Sequence, residues 1–220
     1  MLSTLRTRRA VFWYLAADRI VGAVVSRGER EPLLEACAAS FSRPVSGASL
    51  ATGVLEVAWV LGCERIPHVA ALAAAFCGVE AEEDFCAPSS VGSAMSRTPN
   101  SQVQADVHEQ GRRHSPVTRI CGATRDADGL RVWANEAAVG EASALFRRAR
   151  LRLLALDCEA CALASLSDAL GTAEVETARR QPLSAVSIAP DTEGAAEMLG
   201  EDLAVPLGLA VAWFGAPRAL

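Results

Sequence analysis

"LRLLALDCEACALASLSDAL", residues 151–170, decides the fold. A short apolar run ending at Asp157 passes directly into a segment whose Cys158, Cys161, Ala162 and Leu166 recur at helical spacing. Just upstream, "NEAAVGEASALFRRAR" (residues 135–150) puts Ala138, Ala142, Leu145 and Phe146 on one helical face, with Asn135 as its candidate N-cap. Helix, strand and helix in such close succession predict a parallel α/β layer in which the strand "LRLLAL" is buried on both faces. Asp157 is the expected N-cap of the second helix, residues 158–170, because a carboxylate accepts from first-turn amides and suits the positive end of the helix dipole.

The rest of the chain fits around that unit. "RAVFWYLAADRIVGAVVSRGEREPLLEACAASF" reads as three β segments, at 10–16, 20–25 and 33–39. They are separated by Ala17-Asp18-Arg19 and by the charged, Gly28-containing "SRGERE". In "GASLATGVLEVAWVLGCERIP" the apolar positions Leu50, Val54, Val57, Ala58 and Leu61 predict a helix ending near Gly62. "HVAALAAAFCGV" is apolar throughout and too short for periodicity to separate strand from helix. Residues 86–104, rich in Ser, Pro, Gly and Asn, read as a surface loop or boundary, and residues 117–134 as a β-hairpin around "DADG".

The chain has 220 residues, which can bury a core without metal or disulfide staples, and 51% of them are hydrophobic. A net charge of −5 argues against a nucleic-acid surface, since duplex affinity rests largely on Lys and Arg neutralising phosphates. Seven cysteines at 37, 63, 77, 86, 121, 158 and 161 lack the density of a secreted disulfide framework, so a reducing, cytosolic setting is expected. The apolar runs are too short to span a bilayer, and "LAVPLGLAVAWFG" carries Pro206 in its middle. Arg6, Arg8 and Arg9 before "AVFWYLAA" superficially resemble a signal peptide, but Asp18-Arg19 interrupts the apolar pattern, which then resumes.

No strong catalytic constellation emerges. A zinc site built on Cys158 and Cys161 would need two further ligands, and no second C-x-x-C or C-x-x-H supplies them. A redox pair would suit a helix start, yet "DCEACALA" lacks the Trp, Gly or Pro neighbours usual there. The pair is therefore read as packing, with redox and metal roles as alternatives. The three histidines, His68, His108 and His114, share no ligand spacing, and no P-loop or G-x-S-x-G elbow occurs. The acidic run Glu80, Glu82, Glu83 and Asp84 is read as a solvated turn. The basic run Arg147, Arg148, Arg150 and Arg152 is read as complementing a helix C-terminus.

Three landmarks carry a family resemblance. They are the opening "FWYLAADRIVGAVVSRGEREPLLEACA", the unit "NEAAVGEASALFRRARLRLLALDCEACALASL", and the closing "VPLGLAVAWFG". In this order they resemble the type IV pilus assembly proteins of the PilM and HofM kind, which share the actin-like fold of FtsA. The second landmark is similar to the family's Ala-Gly-Leu helix end, Val-Asp strand end and Ala-Leu helix at Ala149-Arg150-Leu151, Leu156-Asp157 and Ala162-Leu163. The third resembles its closing helix at Gly208, Leu209 and Ala210.

The resemblance implies an α/β protein with an actin-like (ribonuclease H-like) core and an inserted α/β subdomain. Residues 1–94 would be the first part of the core, 95–150 the insertion, and 151–220 the return to the core with a C-terminal helix. The second nucleotide-gripping domain would be largely missing, because few residues lie between Leu170 and the closing helix. The family's phosphate-binding turn corresponds to Tyr14, Ala16, Ala17 and Asp18, with Tyr14 where the family has a carboxylate. ATP binding is therefore not carried over, and no cofactor, metal or catalytic residue is expected.

The implied function is that of a cytosolic accessory scaffold, peripheral to the inner membrane, in a type IV pilus assembly complex. Its partner would be the N-terminal cytosolic tail of a single-span pilus assembly protein, received at a sheet edge of the opening meander or of the 117–134 hairpin. Arg6, Arg8 and Arg9 would add attraction to anionic lipid of roughly 1 kcal/mol each. Nucleic acid is not an expected partner, and self-association is left open. The alternatives are a residual actin-like ATPase of a pilus, DNA-uptake or type II secretion system, and a thiol-redox protein using the C-x-x-C.

Overall fold

Alternation in the first strand sets up a sheet covered on both sides. Strand β1 (Arg9–Leu15) sends Val11, Trp13 and Leu15 to one face and Ala10, Phe12 and Tyr14 to the other, and all six are buried. A strand apolar on both faces needs a layer on each side. It pairs antiparallel with β2 (Arg19–Ser26), which pairs antiparallel with β3 (Leu33–Phe41), so the opening meander forms as the sequence predicts. These elements come from a computed structural model that describes residues 8–41, 47–63, 65–73, 77–81, 130–134 and 136–214.

The apolar run after residue 67 contributes two strands. β4 (His68–Leu72) pairs parallel with β1, and β5 (Cys77–Ala81) pairs antiparallel with β6 (Leu130–Ala134) in a separate two-stranded sheet. Of the predicted 117–134 hairpin only residues 130–134 are described; the remainder lies outside the described residues, as do Asn135, His108, His114 and most of the acidic run. β7 (Leu153–Cys158) returns to the main sheet parallel to β4, and β8 (Ser187–Ile188) adds two residues beside β3. The six-stranded order is β7-β4-β1-β2-β3-β8.

Helix α1 (Gly47–Leu61) and helix α2 (Glu136–Arg148) cover one face. There Val54, Val57, Leu145 and Phe146 pack on Trp13 and Val24. Arg147 and Arg148 fall in the last turn of α2, where their charge suits the dipole as the sequence reading holds. Helices α3 (Glu159–Leu170), α4 (Val175–Arg180), α5 (Glu193–Leu199) and α6 (Ala204–Phe214) lie toward the other face. Leu166, Leu203, Leu207 and Phe214 meet Phe12, Val21, Val25 and Leu34 there, each such side chain contributing about 1.5–3 kcal/mol on burial. Helices α3 and α6 cross closely. A Cβ built on Gly208 would lie 2.1 Å from the carbonyl oxygen of Ala162, so only glycine allows the two backbones this approach.

Two expectations need correction. "LRLLAL" was expected to be buried on both faces, but β7 is an edge strand whose Leu153–Leu156 are only half-buried; burial is complete only at Asp157 and Cys158. An end position in the sheet leaves one side of the strand without a partner strand among the described residues. The N-cap of α3 is Cys158 rather than Asp157, because pairing of Cys158 with Leu72 extends the strand by two residues past the apolar run. At its far end α3 closes on Gly171 at φ 64°, a left-handed cap that glycine adopts without strain. Among the described residues no helix is long and apolar enough to cross a membrane.

Candidate functional site

In open α/β sheets ligands collect outside the carboxyl ends of parallel strands. Here those ends belong to β1, β4 and β7. Register aligns Tyr14 with Ala71 and Ala71 with Asp157, and one step on it aligns Leu15 with Leu72 and Leu72 with Cys158. The turn of β1 and the C-x-x-C, separated by 144 positions from Tyr14 to Cys158, thus share one edge of the sheet.

Tyr14 faces the layer containing α3. Its hydroxyl donates to Glu159 Oε2 at 3.0 Å, and the other oxygen of Glu159 accepts from Arg179 on α4. Burial, followed by the Glu159 charge, raises the phenol well above its ordinary pKa, so Tyr14 stays a protonated donor. Ala16 is buried and its amide closes the turn onto the Arg19 carbonyl at 3.0 Å. Ala17 and Asp18 are exposed; Asp18 accepts from Arg19 Nε at 3.3 Å, and Arg19 also reaches Asp202 at 2.5 Å. Of the four turn residues Tyr14 and Ala16 join the core on the α3 side, and the Glu159–Arg179 pair occupies the one polar side chain there, Tyr14.

Beside this network lie two thiols and a carboxyl. Asp157 Oδ1 accepts from the Cys158 amide at 2.7 Å, and Cys158 Sγ accepts from the Cys161 amide at 3.4 Å. The donor atoms of Asp157, Cys158 and Cys161 all lie within 4.8 Å of one another. Hydrogen bonds from the Cys161 thiol and amide pull the Cys158 thiol down, while the same sharing and burial push Cys161 up. Burial raises Asp157 to about 6. Cys158 is fully buried, Asp157 nearly so, and Cys161 half-buried, so the cluster opens to the outside through Cys161.

Sequence reasoning missed Glu159 and Arg179. Glu159 is visible only as an acid in the first turn of α3, and its pairing with the chain's single tyrosine is a product of the fold. It also missed the role of His68. His68 is fully buried, accepts from Trp13 Nε1 through Nδ1 at 3.0 Å, and has no partner for Nε2 among the described residues, its pKa depressed by burial to about 4.

No protein-family profile matches the chain, and no curated protein matches it. Among solved structures the fold is similar to a chain of the "PilM-PilN type IV pilus biogenesis complex", with a TM-score of 0.57 and 13% identity, over 93% of this chain and 98% of that one. It also has similarity to "cyto-EpsL: the cytoplasmic domain of EpsL, an inner membrane component of the type II secretion system of Vibrio cholerae". There the TM-score is 0.44 and the identity 11%, over 70% of this chain and 57% of that one. The resemblance drawn from the three landmarks thus agrees with a fold similarity to the PilM-PilN chain: a mixed α/β chain with a six-stranded sheet and a separate two-stranded one.

Proposed function

We propose that this chain is an accessory scaffold of a type IV pilus inner-membrane assembly complex, acting by binding rather than catalysis. Its partner is the cytosolic tail of a single-span membrane protein. The observation that carries the reading is fold similarity to a pilus biogenesis chain over 93% of this chain, combined with a β1 turn whose inward position holds Tyr14 bonded to Glu159. A phosphate arriving there would meet a carboxylate and a phenol already committed to each other, and like charge disfavours an anion. Residues 171–214 contribute short helices and the two-residue β8 beside β3 of the main sheet.

The outer edge of β3 is the proposed seat. β8 pairs only with Leu33 and Leu34, and Thr192 donates to the Glu35 carbonyl at 2.5 Å. From Ala36 to Phe41 the edge has no further strand partner among the described residues, and "ACAASF" carries no charge or proline to repel one. An extended tail would add a strand there, its backbone supplying affinity and Phe41, exposed over 63% of its surface, an apolar contact. Attachment to the membrane would be peripheral. Arg9 is already paired with Glu35 at 2.6 Å, so the attraction to lipid would rest on the remainder of the basic N-terminal run.

The test uses the purified full chain and a labelled peptide of the cytosolic tail encoded beside it. Micromolar binding, weakened at least tenfold by Phe41→Glu, is expected, with no magnesium-dependent ATP affinity in calorimetry. Failure of the folded protein to bind the tail removes the reading. Micromolar ATP affinity abolished by Tyr14→Ala would instead favour a residual ATPase.

A further inference from the structure

We propose that Asp157, Cys158 and Cys161 form a binding site for a thiophilic divalent cation, zinc above all. The sequence offered two sulfur ligands and no second pair. The fold adds a third donor that spacing did not reveal. Alternation along β7 would send Asp157 and Cys158 to opposite sides of the sheet, but the chain turns into α3 immediately after Cys158. That turn swings Cys158 Sγ toward the Cys161 amide, and all three donor atoms come within 4.8 Å of one another. Zinc–sulfur bonds of about 2.3 Å and zinc–oxygen bonds of about 2.0 Å place tetrahedral donors roughly 3.5–4 Å apart, so small side-chain rotations close the site.

The surroundings fit a cation. Asp157 is only 4% exposed, and among the described residues the groups acting on it are Cys158 and Cys161, with no basic side chain to balance its charge. The nearby guanidinium, Arg179, is directed to Glu159. A buried carboxylate is costly unless paired or bound to a metal, and a dication offsets it together with the thiolates. On binding, each thiol releases its proton to solvent and gives an electron pair to the metal, and the carboxylate supplies the third bond. Three protein ligands leave a fourth position for water, on the side where half-buried Cys161 meets the outside. Two sulfurs among three donors select zinc over magnesium or calcium. All three ligands lie within five consecutive residues at the junction of β7 and α3, so the ion would clamp that junction.

Cobalt(II) is the probe. The reduced full chain, stripped by chelator, is titrated with cobalt and read by sulfur-to-cobalt charge transfer and the visible bands of tetrahedral cobalt, then back-titrated with zinc. One equivalent is expected, displaced by one of zinc, with the melting temperature rising on zinc addition. Cys161→Ser, at a half-exposed position that should fold, is expected to weaken zinc at least a hundredfold. Asp157→Asn, which keeps the shape, should weaken it at least tenfold while retaining charge transfer. Cys37→Ser should change nothing. The proposal is overturned if the reduced wild type shows no thiolate–cobalt band, if the band survives in the Cys158→Ser/Cys161→Ser double variant, or if the two thiols resist reduction as a disulfide.

Discussion

Replacing His68 with Gln should remove a pH dependence that the wild-type fold carries. On β4, between β1 and β7, His68 has its ring against Trp13 and Phe146, at centroid distances of 5.8 Å and 6.0 Å, and among the described residues no charged side chain shifts it. Burial lowers its pKa from 6.5 to about 4. In the unfolded chain the imidazole takes a proton as pH falls through 6.5, whereas in the folded protein it resists until about 4. Unfolding therefore binds a proton across that window, and stability is lost as pH falls through it, levelling off below about 4. At 1.36 kcal/mol per pH unit, the difference between 6.5 and about 4 amounts to about 3 kcal/mol in total. Gln can still accept from Trp13 Nε1 but cannot titrate. At neutral pH the variant should be less stable by about 1–2 kcal/mol through poorer packing. That deficit should shrink as pH falls, and by about pH 4 the variant should match or exceed the wild type. Asp157, raised to about 6, works in the opposite direction, but it is present in both proteins and cancels in the difference. Urea midpoints at a shared m-value, measured metal-free across the window, give the comparison. A gap constant to within about 0.5 kcal/mol would refute the account, since it would mean His68 titrates alike in both states.

Gly208→Ala drives a methyl group into the Ala162 carbonyl at 2.1 Å, a backbone atom that cannot rotate away; a loss of about 1–3 kcal/mol in thermal or urea unfolding is expected, and a neutral result would show that α3 and α6 separate freely. Tyr14→Phe deletes the hydroxyl bonded to Glu159 while Arg179 keeps the carboxylate paired, so about 1–2 kcal/mol should be lost and calorimetry should reveal no gain of ATP binding.

The layered architecture was legible because it rests on local periodicity. The apolar runs 10–16, 20–25 and 33–39, broken by charged turns, predicted three strands, and the spacing of Val54, Val57 and Ala58 predicted α1. What local pattern could not supply was neighbourhood. The edge position of β7 depends on no strand joining beyond it, and the one-residue shift of the α3 cap from Asp157 to Cys158 depends on pairing with Leu72, a strand 86 positions earlier. The candidate site was half visible. Cys158 and Cys161 stand out as a spacing, and Tyr14 as a departure from a resemblance. The bond from Tyr14 to Glu159 and the alignment of Asp157 with Ala71 exist only once β1, β4 and β7 lie side by side. His68 gave no signal at all, because a histidine inside an apolar run looks the same whether a tryptophan faces it or not.

The two faces of the sheet begin to be covered at very different times as the chain leaves the ribosome. Helix α1, which starts the cover over Trp13 and Val24 that α2 completes, follows the meander directly. The opposite face, with Phe12, Val21, Val25 and Leu34, must wait for Leu166, Leu203 and Leu207. From the end of β3 at Phe41 to the start of α3 at Glu159 is 118 residues, which at synthesis rates of about 5–20 residues per second is roughly 6–24 s. Throughout that interval the nascent sheet carries an uncovered apolar surface beside the uncharged stretch 36–41 of β3. Translation that stalls or terminates before residue 159 would release this sticky half-sandwich, the form of the chain most open to aggregation.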